Sequence, residues 1–130
     1  MNMLRTNQSF LSYLEELYHN QNGEDIVLQS FPKGERLLNQ DQPLSKVMLI
    51  KDGIVKCYFG EENGKEYIVE FLGNGEIIGE VELIKNIPCL CGIEALTDVA
   101  VYTINLNHFK NLIKSDLILN NLLLDSFAER

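Results

Sequence analysis

Residues 71–80 read Phe71-Leu72-Gly73-Asn74-Gly75-Glu76-Ile77-Ile78-Gly79-Glu80. The first two close a strand-like run that begins at Glu66. Gly73-Asn74-Gly75 breaks it, because glycine and asparagine tolerate the backbone angles of a tight turn. Two isoleucines follow, and Gly79 reads as a second turn glycine. Strand and turn in such close succession are the punctuation of a small β-rich fold.

The same rhythm extends upstream. Ile26 to Phe31 predicts a strand ended by Pro32-Lys33-Gly34-Glu35, and Arg36 to Leu38 a brief one. Val47-Met48-Leu49-Ile50 is apolar throughout, as expected of a buried strand. Asp52-Gly53 is the strongest hairpin signal in the chain, and Ile54 to Phe59 is the returning strand. Glu62-Asn63-Gly64 turns into Glu66 to Leu72. Downstream, Cys91 to Leu96 and Val99 to Ile104 complete a set of short strands that points to a sandwich or barrel.

Both ends read as helix. Phe10, Tyr13, Leu14, Leu17 and Tyr18 share one helical face. Ser12 and Glu15 have capping-box spacing, with Thr6, Asn7 and Ser9 as other starts and Gly23 as a stop. Asn105 or Asn107 caps a helix through Phe109, Leu112 and Ile113. Ser115-Asp116 starts a further segment, Leu117 to Arg130, that is apolar on more than one side. Such a helix needs two partners, its own domain and something else. Packing against its copy in a dimer is the favoured reading, through Leu119, Leu122, Leu123 and Phe127. Full burial in its own domain, or a helix left partly exposed, are the alternatives.

Composition bounds the function. The 130 residues suit one domain. Eleven Lys and Arg against nineteen Asp and Glu leave a net charge of −8. Binding to nucleic acid draws on Lys and Arg that neutralise phosphates, so these residues are poorly suited to grip it. Anionic membrane surfaces are disfavoured for the same reason. No apolar run approaches the roughly 18 residues of a membrane-spanning helix. The first ten residues lack the apolar core of a signal peptide. Three unframed cysteines (Cys57, Cys89, Cys91) suit free thiols in a reducing cytoplasm.

Against this background, residues 71–80 resemble the F-L-x-x-G-[DE]-x-x-G-E segment of cyclic-nucleotide-binding domains. Leu49 to Lys56 is similar to that family's hairpin, and Gly64-Lys65-Glu66 to a following turn. Glu94 to Asp98 is similar to its closing strand pair, and Phe109 to Ile113 to the helix behind the roll. The order matches from about Leu28 onward. The fold implied is mainly β, a double-stranded β-helix (jelly roll or β-roll) flanked by N-terminal and C-terminal α-helices. The expected organisation is a helical segment over 1–24, the roll over 25–105 and helices over 106–130. The resemblance is strongest to the sensor domains of catabolite-activator (Crp/Fnr) transcription regulators. It implies a dimer through the C-terminal helix, and DNA contact only through a helix-turn-helix domain that is absent from these residues. A binding module from a channel, a kinase regulator or a stand-alone protein is the alternative.

In that family the residues matching Gly79 and Glu80 hold the cyclic phosphate and the ribose hydroxyl. The plainer readings are a turn glycine and a carboxylate favoured at a helix start. Members that bind cAMP follow the short helix with Arg-[Ser/Thr]-Ala, and here Cys89-Leu90-Cys91 takes those places. Neither Cys89 nor Leu90 brings a fixed positive charge. The candidate pocket is therefore Ile78, Gly79, Glu80, Val81, Cys89, Leu90 and Cys91. It is expected to serve an unidentified small-molecule effector rather than cAMP or cGMP.

Other chemistry is thin. Cys89-x-Cys91 lacks the further ligands of a zinc site, and both read as small buried residues. His19 and His108 lie outside the predicted strands, so they do not form the inward-facing metal set of a cupin-type enzyme. Glu15-Glu16, Glu24-Asp25 and Glu61-Glu62 read as solvated. No catalytic residue and no metal site is expected.

Overall fold

Val47-Met48-Leu49-Ile50 lies within β3 (Lys46–Asp52) and is buried at all four positions. In the computed structural model, the described residues are 8–21, 23–118, 120, 121 and 124. Successive side chains of a strand point to opposite faces, so β3 serves two cores at once. Met48 and Ile50 enter one cluster; Val47 and Leu49 enter another.

The chain runs α1 (Gln8–Asn20), β1 (Ile26–Phe31), β2 (Arg36–Leu38), β3, β4 (Val55–Gly60), β5 (Glu66–Leu72), β6 (Ile77–Ile78), α2 (Glu80–Lys85), β7 (Gly92–Ala95), β8 (Val99–Asn105) and α3 (Leu106–Ser115). The strands form two four-stranded antiparallel sheets, ordered β1-β8-β3-β6 and β2-β7-β4-β5. This is the mainly β roll with helices at both ends that the sequence predicts. The first cluster fills the space between the sheets, where Val99 and Val101 of β8 meet Val55, Cys57 and Ile93. The second lies on the other face of the first sheet, where Tyr102 and Ile104 meet Phe10 and Leu14 of α1 and Phe109 of α3. Each such aliphatic side chain contributes about 1.5–3 kcal/mol by leaving water.

Helix ends differ in part from expectation. The first helix is already running at Gln8, so Ser12 lies inside it and does not cap it. Asn105 does cap α3, its side chain accepting from the amides of Asn107 (2.9 Å) and His108 (3.4 Å). Glu15 stays partly exposed but also has partners. It accepts a hydrogen bond from the Tyr102 hydroxyl at 2.8 Å and lies 3.8 Å from Lys51, which ties α1 to the sheet. Tyr13 donates to Asp116 just past α3, and that hydrogen bond, with burial behind it, pushes the Tyr13 pKa up to about 12. Helical residues resume at Leu117 and Ile118, both exposed, as is Leu124. Leu119, Leu122, Leu123 and Phe127, the expected dimer contacts, lie outside the described residues.

The second sheet carries a cluster of ion pairs. Arg36 lies 3.7 Å from Glu66 and 3.9 Å from Glu94, and Lys56 is 3.6 Å from Glu94. Beside them Tyr58 is buried, and its hydroxyl has no hydrogen-bond partner among the described residues. Its ring lies across Gly92 on the neighbouring strand, where a Cβ would come within 2.3 Å of it. Gly92→Ala should therefore cost about 1–3 kcal/mol by overpacking. Tyr58→Phe removes a buried, unpartnered hydroxyl and should leave stability unchanged or raise it. Urea unfolding of the two variants checks both signs.

Candidate functional site

After β5 the chain must cross from the second sheet to the first, and residues 73–79 carry it there. The Gly75 amide donates to the Ile50 carbonyl (2.8 Å), and the Ile50 amide to that of Glu76 (3.0 Å). Asn74 braces the Asp52-Gly53 hairpin by accepting from the Gly53 amide at 3.0 Å. Gly53 itself has φ +112°, and a Cβ there would lie 2.6 Å from the Asp98 carbonyl oxygen. Ile77 and Ile78 then pair with β3, and Gly79 leads directly into α2.

A cavity of about 120 Å³ lies where this crossing meets β4, β5 and the segment before β7. Its apolar floor includes Leu38, Leu72 and Ile93. Six of the seven pocket residues singled out from sequence line it: Ile78, Gly79, Glu80, Val81, Leu90 and Cys91. Cys89 does not. Its side chain is packed in the core between the sheets, and its backbone is held by Gln42 and Asp41 (2.9 and 2.8 Å). The residues that reach the cavity from this segment are thus Leu90 and Cys91.

Three carboxyl-bearing residues line the cavity: Glu70, Glu80 and Glu82. Glu80 is 2% exposed, whereas Glu70 stands on an exposed strand. Glu82 accepts a hydrogen bond from the Leu90 amide at 3.1 Å. Among the described residues no Lys, Arg or His lines the cavity. A like charge about 5 Å from a carboxylate costs about 3 kcal/mol at an effective dielectric near 20. The walls thus disfavour a phosphate and favour groups that donate hydrogen bonds. Glu70 and Glu82 were not singled out in the sequence. Glu70 sits in a regular strand pattern, and nothing local links position 82 to position 90.

Gly79 has φ +101°, a conformation that side chains other than glycine rarely adopt. A Cβ there would face the Leu44 side chain at 3.2 Å. Its missing side chain is thus explained by the turn and by packing, before any ligand is considered. Gly79→Ala should lower stability by about 1–3 kcal/mol, read as a fall in Tm. A role confined to ligand approach would leave Tm unmoved.

The thiols are quiet. Burial raises the pKa of Cys89 and of Cys91, with the Glu82 charge adding to both and Glu70 to Cys91. Less thiolate means slower alkylation. With iodoacetamide at pH 7, both should react more slowly than a free cysteine, which mass spectrometry would resolve. No group of metal-ligating residues occurs among the described residues. His108 lies at the start of α3 with its Nδ1 3.9 Å from Asp25. No described helix is long and apolar enough to cross a membrane.

Comparison with known proteins places this geometry. The cyclic nucleotide-binding domain family matches residues 28–116. Potassium channel KAT2 of Oryza sativa subsp. japonica is 32% identical over 103 residues, which are 75% of this chain and only 17% of the channel. The catabolite activator protein of Thermus thermophilus superposes with a TM-score of 0.71 at 21% identity, over 88% of this chain and 57% of that one. The regulatory subunit of a cAMP-independent protein kinase A from Trypanosoma cruzi, bound to guanosine, superposes with a TM-score of 0.67 at 21% identity. That match covers 82% of this chain and 40% of the subunit.

Proposed function

The chain belongs to the cyclic nucleotide-binding domain family, and we propose that it is the effector-sensing and dimerisation domain of a Crp/Fnr-type transcription regulator whose effector is not a cyclic phosphate. The observation that carries the second half is the cavity wall: three carboxyl groups, apolar side chains and no cation among the described residues. A buried phosphate without a positive partner is costly. An uncharged ligand with hydroxyl donors, such as a nucleoside, meets acceptors instead. The guanosine-bound kinase subunit is a precedent for that ligand class on this fold.

Exposed Leu117, Ile118 and Leu124 support a dimer, because a second copy would cover them. In this reading the effector biases how the two C-terminal helices pack, and so shifts an equilibrium between two dimer geometries. DNA is touched by a helix-turn-helix domain joined to that helix, which accords with the charge of −8 on these residues. The module is cytoplasmic and non-enzymatic. The 32% identity to a potassium channel favours a second reading, a binding module in another signalling protein.

Calorimetry and sedimentation test the proposal together. Guanosine or adenosine should bind at least tenfold more tightly than cGMP or cAMP, the reverse of what an anion-binding pocket gives. The chain should sediment as a dimer, and Leu122→Glu should make it monomeric. Micromolar binding of cAMP or cGMP would overturn the ligand reading, and a monomeric parent chain would overturn the dimer.

A further inference from the structure

We infer that the Glu82 carboxylate is a built-in anion on the donor wall of the cavity, and that it sets the cavity's selectivity against anionic ligands. The inference rests on reading the cavity as the effector site. An anion entering a cavity without cations would depend on backbone amides. The segment before β7 offers few. The Cys89 amide is already spent on the Gln42 carbonyl at 2.9 Å. The Leu90 amide belongs to a residue that lines the cavity, and it donates to Glu82 Oε2 at 3.1 Å. That is a charge-assisted bond, stronger than a neutral one.

Glu82 is well placed to hold this bond. Its backbone carbonyl accepts from the amides of Asn86 and Ile87 and so ends α2. Its side chain reaches across the same turn to Leu90. The residue thus pins α2 to the 89–91 segment while filling the place an incoming anion would take. Its charge is felt at Cys89 and Cys91, which agrees with that position. An anionic ligand must displace the carboxylate and then sit beside it, whereas an uncharged donor can accept it as a partner.

Amide NMR on the whole chain tests this, with inorganic phosphate as probe. In the parent protein the Leu90 amide should not respond to phosphate. In Glu82→Ala it should shift saturably, with affinity at least tenfold higher. Glu82→Gln keeps an acceptor but drops the charge, and should fall between. A natively folded Glu82→Ala with unchanged phosphate affinity would overturn the inference, and so would a parent protein that binds phosphate at Leu90 equally well. Should Glu82→Ala not fold, Glu82→Gln decides on the same signal: a gain sustains the inference and no gain ends it. Guanosine added to separate samples reads the effector site through Gly79 and Val81. Silence there in every variant refutes the effector reading, and leaves the phosphate result to stand or fall alone.

Discussion

Four consecutive residues of β3, Val47 to Ile50, have no solvent side. That double burial organises the molecule. It forces a layer onto each face of the first sheet: the second sheet on one side, α1 and α3 on the other. Tyr102 and Ile104 of β8 share one layer with Val47 and Leu49, and Val99 and Val101 share the other with Met48 and Ile50. Ile77 and Ile78 of β6 divide in the same way. A polar residue at any of the four β3 positions would leave an unpaired group in a dry core, at a cost of about 1–3 kcal/mol or more.

The cavity follows from how the chain closes this arrangement. Residues 73–79 must pass from the edge of one sheet to the edge of the other, and the gap left beside that crossing is lined by α2, β5 and the segment before β7. The family supplies this geometry, while individual side chains decide what it accepts. Leu90 and Cys91 stand at the wall without charge, and Glu82 consumes a backbone donor. At about 120 Å³ the space is smaller than the roughly 300 Å³ at which drug-sized ligand pockets begin. A nucleoside would therefore extend toward the exposed side chains of Val69 and Leu90.

Much of the fold was legible from local patterns. The apolar run of β3, the Asp52-Gly53 hairpin and the strand from Glu66 to Leu72 announced themselves, because turn chemistry and side-chain alternation are local properties. The two-residue strand β6 was not separately legible, since Ile77 and Ile78 become a strand only by pairing with β3. Glu15 looked solvated beside Glu16, yet it holds Tyr102, a partner 87 positions away. Ser12 looked like a cap, but residues before it extend the helix.

By itself the sequence determined the roll and most of its order of elements, through periodicity and glycine turns, and the Gly79-Glu80 resemblance pointed to residues that line the cavity. It also determined that Cys89-Leu90-Cys91 brings no cation. Only the tertiary structure decided which of those three reaches the cavity. Cys89 turns into the core while Leu90 and Cys91 face the space, because contacts with the distant 41–42 loop set the backbone there. Only the tertiary structure brought Glu82 to the Leu90 amide. Such a bond depends on where a helix and a later loop meet, and that is settled by the packing of both cores rather than by either segment alone.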